Sequence, residues 1–173
     1  MSGPEKRIVI FPGTFDPITR GHLDIIRRGQ GLFDELVIAI GHNPDKRTLF
    51  TLAERVELIR QLVVDMPNVR VEAFEGLTVN FARKIGATAM LRGIRNSSDL
   101  QYEFQVALTN RVVAGVETVF VMTSPEFAFT SSSLIKQITA MGGDVTALVP
   151  EPVMKAMWEK RDQILHHDHP LEE

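Results

Sequence analysis

No cysteine occurs in this 173-residue chain, which excludes disulfides, thiolate catalysis and cysteine-held zinc or iron–sulfur centres. Long apolar runs are missing too. None reaches the roughly 20 residues that a membrane-spanning helix needs, and the opening Met1 to Arg7 has no apolar core of the signal-peptide kind. There is no strong charge of either sign. A net −3 gives no bulk attraction to nucleic acid or anionic membrane, so any basic site must be local. Several catalytic signatures are absent as well. There is no G-x-x-x-x-G-K-[ST], no G-x-S-x-G and no H-E-x-x-H, and Gly13 stands alone rather than inside a G-x-G-x-x-G. What remains is a single cytoplasmic globular domain over 1–173, long enough to bury about two-thirds of its unfolded surface. Its polar tail, 166–173, is expected to fray. Three tail histidines, His166, His167 and His169, read as at most an opportunistic metal chelator.

The chain is organised around Ile8 to His22, IVIFPGTFDPITRGH. Its apolar opening, Ile8 to Phe11, fits a strand buried on both faces, which Pro12 and Gly13 are expected to stop. Asp16-Pro17 predicts a turn, and Thr19 offers a hydroxyl to cap a helix. Three residues after that cap, where a capping box has Glu or Gln, stands His22, preceded by Arg20 and Gly21. This first turn has no acid to meet the helix dipole, a mismatch that a bound anion would resolve.

Further strands are predicted at Leu36–Ile40, Val69–Phe74, Thr88–Leu91 and Thr118–Met122. Thr51 with Glu54 and Ser98 with Gln101 form two capping-box pairs. Leu52, Val56, Ile59 and Leu62 recur at helical spacing after the first pair. Leu100, Phe104, Ala107, Leu108 and Val112 form the apolar stripe of the helix after the second. Another helix is expected over Val79–Ile85, one more from the serines at 131–133, and a last one from Pro150 to about Leu165. Strands alternating with helices predict a parallel sheet covered on both faces, with the site beyond the C-terminal strand ends.

The unusual polar residues all follow strands: Thr14 and His22, then Lys46, then Arg92 and Arg95, then Ser131, Ser132 and Ser133. A rim of cations and hydroxyls with few acids suits a ligand carrying several phosphates. Lys136 repeats the dipole mismatch near the start of its helix. Glu103 reads either as an ion-pair partner of Arg92 or Arg95, or as a contact to a nucleotide hydroxyl or base.

Gly13-Thr14-Phe15-Asp16-Pro17-Ile18-Thr19-x-Gly21-His22 resembles the T/H-x-G-H signature of the nucleotidyltransferase superfamily. Thr130-Ser131-Ser132-Ser133-Leu134-Ile135-Lys136 resembles its I-S-S-S/T-x-x-R/K motif. With Phe50-Thr51-Leu52-x-Glu54-Arg55, Asn80-Phe81-Ala82, Arg92-Gly93-Ile94-Arg95 and Tyr102-Glu103, the likeness runs from Ile8 to about Trp158 and resembles bacterial phosphopantetheine adenylyltransferases. The chain departs from that family at Thr130, usually Ile, and at Phe127, commonly Trp or Tyr.

The fold expected is a single Rossmann-like α/β domain with a five-stranded parallel sheet in the order 3-2-1-4-5. The resemblance implies adenylyl transfer from ATP to 4′-phosphopantetheine, giving dephospho-coenzyme A and pyrophosphate. It implies catalytic roles for Thr14, His22, Lys46 and Arg95. ATP would meet Thr14, Phe15, His22, Gly93, Ile94, Arg95, Glu103, Phe127, Ala128, Phe129, Thr130, Ser131, Ser132 and Ser133. Phosphopantetheine would meet Thr14, Lys46, Thr78 and Arg92. Mg²⁺ is expected with the nucleotide phosphates and without a protein ligand, coenzyme A as product-side inhibitor, and a homohexamer. The alternatives are another small-molecule nucleotidyltransferase, acting on nicotinate mononucleotide or glycerol phosphate, and a catalytically silent nucleotide sensor.

Overall fold

The computed structural model describes residues 6–42 and 47–161. Five strands form one parallel sheet: β1 (Ile8–Gly13), β2 (Glu35–His42), β3 (Val69–Glu75), β4 (Ala89–Ile94) and β5 (Glu117–Met122). Their order is β3-β2-β1-β4-β5. The chain therefore winds outward from β1 in one direction and returns past it to build the other half. That reversal leaves a crevice above β1 and β4. The helices are α1 (Arg20–Gln30), α2 (Leu52–Leu62), α3 (Thr78–Lys84), α4 (Ser97–Ala114), α5 (Ser132–Ala140) and α6 (Glu151–Glu159), with a 3₁₀ turn at Pro125–Phe127. No helix among the described residues is long and apolar enough to cross a membrane.

Alternation along the central strands divides the core in two. Val9, Phe11, Leu36, Ile38 and Ile40 face α1, α2, α5 and α6, packing on residues such as Ile26, Ile59, Ile135 and Met157. Ile10, Val37, Ala39 and Met90 face α3 and α4. A strand with both faces covered has no solvent side, which is why these strands read as continuous apolar runs.

Two strands outrun their predicted ends. Pro12 and Gly13 stay in register with Ala39 and Ile40 rather than stopping β1. Arg92, Gly93 and Ile94 pair with Phe120, Val121 and Met122, so Arg92 lies on β4 and not in the loop after it. In both cases the neighbouring strand is long enough to hold the extra residues in the ladder. The period of two then sends Arg92 toward α4, on the side of Met90, and Gly93 toward α1.

Helix α4 departs from its predicted description in two ways. Its cap is Asn96, whose side chain accepts from the Asp99 N–H at 2.9 Å, rather than Ser98 paired with Gln101. Its apolar stripe points outward, with Leu100, Phe104, Leu108 and Val112 between 44% and 85% exposed. Glu103, Val106, Ala107, Asn110 and Ala114 make the inward face. The last predicted helix ends at Glu159 with Lys160 as its C-cap, short of the expected Leu165; residues 162–173, the tail histidines among them, lie outside the described residues.

Candidate active site

His22 is held by its own helix. Thr19 caps α1, its hydroxyl accepting from the His22 N–H at 3.3 Å, and His22 Nδ1 accepts in return from the Thr19 N–H at 3.1 Å. A main-chain N–H only donates, so Nδ1 carries no hydrogen and the neutral ring keeps its proton on Nε2. Burial, followed by the positive charges of Arg95 and Arg92, lowers the His22 pKa to about 4. At neutral pH the imidazole is thus an uncharged hydrogen-bond donor.

The imidazole fills the place of the capping side chain, and the Arg20 N–H goes to the Leu148 carbonyl at 2.9 Å. Being neutral, the ring brings no negative charge, so the turn still has no acid to meet the helix dipole, and the Gly21 N–H has no partner among the described residues.

Phe15 seats the ring. It meets His22 edge-on at 5.1 Å and Phe11 at 5.4 Å between centroids. Its φ of 50° is unusual for a side-chain-bearing residue, and packing of its buried ring compensates for that conformation.

The start of α5 stays open. Ser131 Oγ is 3.5 Å from the Leu134 nitrogen, and the Ser132 hydroxyl donates to the Pro17 carbonyl at 2.9 Å. The N–H groups of Ser132 and Ser133 have no partner among the described residues. With no acid in the first turn, this end presents partial positive charge. Lys136 is not a second mismatch, because its ammonium lies 3.1 Å from the Asp16 carboxylate. Asp16, buried, also accepts the N–H groups of Leu49 and Phe50 at 2.9 Å each.

The arginines are likewise partnered. Arg92 Nε donates to Glu103 Oε2 at 2.7 Å, Nη2 donates to Oε1, and Nη1 reaches the Pro12 carbonyl at 3.0 Å. Arg95 forks onto Asp99 at 2.7 and 3.1 Å and donates to the Thr130 carbonyl at 2.9 Å. The expected rim of cations with few acids is corrected accordingly. Three acids converge on it, Asp16 from the loop after β1 and Asp99 and Glu103 from α4, and what the cleft offers is oriented N–H groups rather than loose charge. Three of the five guanidinium donors of Arg92 are engaged, leaving two for a ligand.

Sequence reasoning passed over Arg55 as a member of the site. It is buried, and its Nη1 donates to the Thr14 carbonyl at 2.7 Å, fixing the backbone of that loop. Its Nε has no partner among the described residues. The signal was available: Arg55 sits on the apolar face of α2, between Leu52 and Ile59.

Three adjoining clefts result. The first, of about 300 Å³, joins His22, Phe15, Gly93, Arg95, Thr130, Ser131 and Ser132. The second is walled by Thr14, Phe74, Thr78, Met90, Tyr102 and Asn110, and Arg92 and Glu103 line both. The third lies beside His22, between Thr14, Ser132, Ser133 and Lys136. His22 and the start of α5 therefore share a cleft. Ile94 is a core residue that offers only backbone, its carbonyl being taken by the Thr123 N–H at 2.9 Å. Phe127, Ala128 and Phe129 are not in these walls, and Phe129 is 64% exposed. Lys46 lies outside the described residues.

Donors from two strand ends and a helix terminus around a crevice, next to a larger and more apolar pocket, suit a polyphosphate meeting a phosphorylated organic arm. Comparison with known proteins points the same way. A cytidylyltransferase-like family model matches residues 10–138. The chain is 48% identical over 155 residues to the phosphopantetheine adenylyltransferase of Caldanaerobacter subterraneus subsp. tengcongensis, covering 89% of this chain and 97% of that one. It is 49% identical over 154 residues to that of Heliobacterium modesticaldum, covering 88% and 92%. A solved structure of a Vibrio parahaemolyticus protein assigned as a nicotinate-nucleotide adenylyltransferase has the same fold. It matches with a TM-score of 0.62 and 15% identity, over 88% of this chain and 99% of that one.

Proposed function

The chain belongs to the phosphopantetheine adenylyltransferase family, within the cytidylyltransferase-like group, and on that premise we propose how its side chains move an adenylyl group from ATP to 4′-phosphopantetheine. The products are dephospho-coenzyme A and pyrophosphate. The acceptor's nucleophile is a phosphate oxygen that is already ionised, so no proton has to be removed and no general base is assigned. That oxygen attacks the α-phosphorus in line, the bond to the β-phosphate breaks, and its electron pair leaves with pyrophosphate. Charge builds on the α-phosphate and on the departing group, and catalysis consists of positioning and electrostatic stabilisation.

His22 Nε2–H donates to an α-phosphate oxygen in this reading, with Arg95 and Thr14 beside it, and the resemblance adds Lys46. The open N–H groups of Ser132 and Ser133 meet the outer phosphates. Gly93, Arg95, Glu103, Thr130 and Ser131 line the nucleoside's side of the cleft, and Phe127 to Phe129, outside its walls, would reach the nucleoside only from the rim. The two spare donors of Arg92, with Thr14, Lys46 and Thr78, hold the acceptor's phosphate, and the apolar second cleft takes its arm. Mg²⁺ bound on the triphosphate would neutralise charge and aid departure of pyrophosphate. A hydroxyl- and amide-rich crevice fits an ion that arrives on phosphates and keeps its water ligands.

The observation that carries the assignment is the wall shared by the first two clefts. Arg92 and Glu103 border both, so a nucleotide in one and an acceptor phosphate in the other would meet beside His22. Dephospho-coenzyme A and coenzyme A carry both halves and would span the clefts as product and inhibitor. The resemblance to phosphopantetheine adenylyltransferases suggests a homohexamer and a cytoplasmic enzyme, and the uncovered apolar face of α4 is a surface that an assembly could bury.

The test is incubation with ATP, Mg²⁺ and 4′-phosphopantetheine, with product identified by mass. Dephospho-coenzyme A is the expected product. Preferential pyrophosphate release with nicotinate mononucleotide or glycerol phosphate would overturn the acceptor, and tight ATP binding without turnover on any acceptor would overturn the enzyme.

A further inference from the structure

Asp24 has no part in the roles above, yet it makes the firmest link between the helix that carries His22 and the segment proposed to hold ATP. Its carboxylate is largely buried, with 14% of the side chain exposed, and both oxygens are spent on one residue. Oδ2 accepts from the Ser124 N–H and Oδ1 from the Ser124 hydroxyl, each at 2.9 Å. One turn further along α1, Arg28 sits 3.8 Å from Asp24 Oδ2 and donates to the Met122 carbonyl. The last residue of β5 and the second residue beyond it are thus both gripped by α1.

We propose that Asp24 is a positioning residue for nucleotide binding: by clasping Ser124 it sets the segment 124–130 against α1, so that the ATP side of the cleft is assembled in register with His22.

The rest of the segment shows why its first residue matters. The Phe127 N–H bonds to the Ser124 carbonyl at 2.9 Å, and the Phe127 carbonyl accepts from both the N–H and the hydroxyl of Thr130, at 3.0 and 2.8 Å. Arg95 then holds the Thr130 carbonyl. Between those ends the chain lies directly on Gly21. A Cβ there would stand 2.5 Å from Thr130 Oγ1 and 3.5 Å from Phe127 Cβ. Each bond is referred to the one before it, back to Ser124. Release of Ser124 would leave the near end held only up to Thr123, whose N–H bonds the Ile94 carbonyl, so the segment beyond it would lose its anchor on α1 and its contact with Gly21 would loosen. Hydrogen bonds to a buried carboxylate are the stronger kind, so their loss is felt as binding energy.

This inference rests on the proposed reading of segment 127–133 as the ATP side. Full-length Asp24→Ala, Asp24→Asn, Ser124→Ala and the Asp24→Ala/Ser124→Ala double variant are compared by calorimetric ATP affinity, by separate KM values for the two substrates, and by melting temperature. Asp24→Ala should weaken ATP about tenfold while the phosphopantetheine KM stays within about twofold. Asp24→Asn keeps an acceptor for the N–H and a donor for the hydroxyl, and should recover most of the ATP affinity. Ser124→Ala should lose part of it, and in the Asp24→Ala background should lose nothing more.

Equal losses for both substrates, or unchanged ATP affinity in Asp24→Ala, overturn the proposal. So does an Asp24→Asn variant as poor as Asp24→Ala. If Asp24→Ala does not fold, an Ser124→Ala variant with wild-type ATP affinity overturns it equally. A wild type that binds ATP and makes no dephospho-coenzyme A overturns the reaction instead, and the clasp is then judged on ATP affinity alone.

Discussion

His22 shows how one side chain answers two demands. Its Nδ1 closes the cap of α1, and that same bond commits Nε2 to donation. Because its pKa is lowered to about 4 by burial and by Arg95 and Arg92, the donor is neutral throughout the physiological range. His22→Ala should lose about 10²–10³ in kcat, as for loss of a preorganised donor. Its stability should fall by only about 1 kcal/mol through the cap. Turnover measured beside a denaturant titration separates the two effects.

A pH signature follows from the direction of the shift. Between pH 6.5 and 4 the unfolded chain takes up a proton at this histidine and the folded chain does not. Wild-type stability therefore declines as pH falls through that window and is restored above it. In His22→Ala the decline should be shallower, which melting curves at pH 7 and pH 5 would show. Equal slopes would contradict a depressed pKa.

At the scale of elements, α4 is the instructive case. The sequence pattern marks Ser98-x-x-Gln101 as the helix start. The structure caps the helix with Asn96 instead, where β4 runs on to Ile94 against β5 and Arg95 pairs with Asp99. That ion pair fixes Asp99 where its N–H meets Asn96 Oδ1. Asn96→Ala is expected to cost about 1 kcal/mol, and Ser98→Ala within about 0.5 kcal/mol of nothing. Chemical denaturation of the two variants checks the order. The starts of α1 and α5 were both legible as first turns with no acid, whereas the capping of α1 by its own imidazole was not.

For the molecule as a whole, the outward stripe of α4 is the feature a lone chain does not explain. Leu100, Phe104, Leu108 and Val112 form one exposed apolar stripe on a helix whose inward face carries Glu103 and Asn110. Apolar area of that extent is ordinarily covered by a partner. For the proposed homohexamer, light scattering should give a particle of six times the 19.4 kDa chain mass. Leu108→Glu should reduce it, because each interface would then bury an unpaired carboxylate. A monomeric wild type would overturn the assembly.

The sequence by itself determined the alternation of strand and helix, the parallel sheet, and the residues that could face phosphate. These rest on local spacing and on backbone chemistry. The tertiary structure decided what each of those residues is bonded to. Lys136 found Asp16 across 120 positions, Arg92 found Glu103, and a stripe that periodicity marks as apolar turned outward. Helical spacing says that a face is apolar but not which side of the helix the sheet lies on. An ion pair between distant residues depends on where two strands end, which no local pattern records.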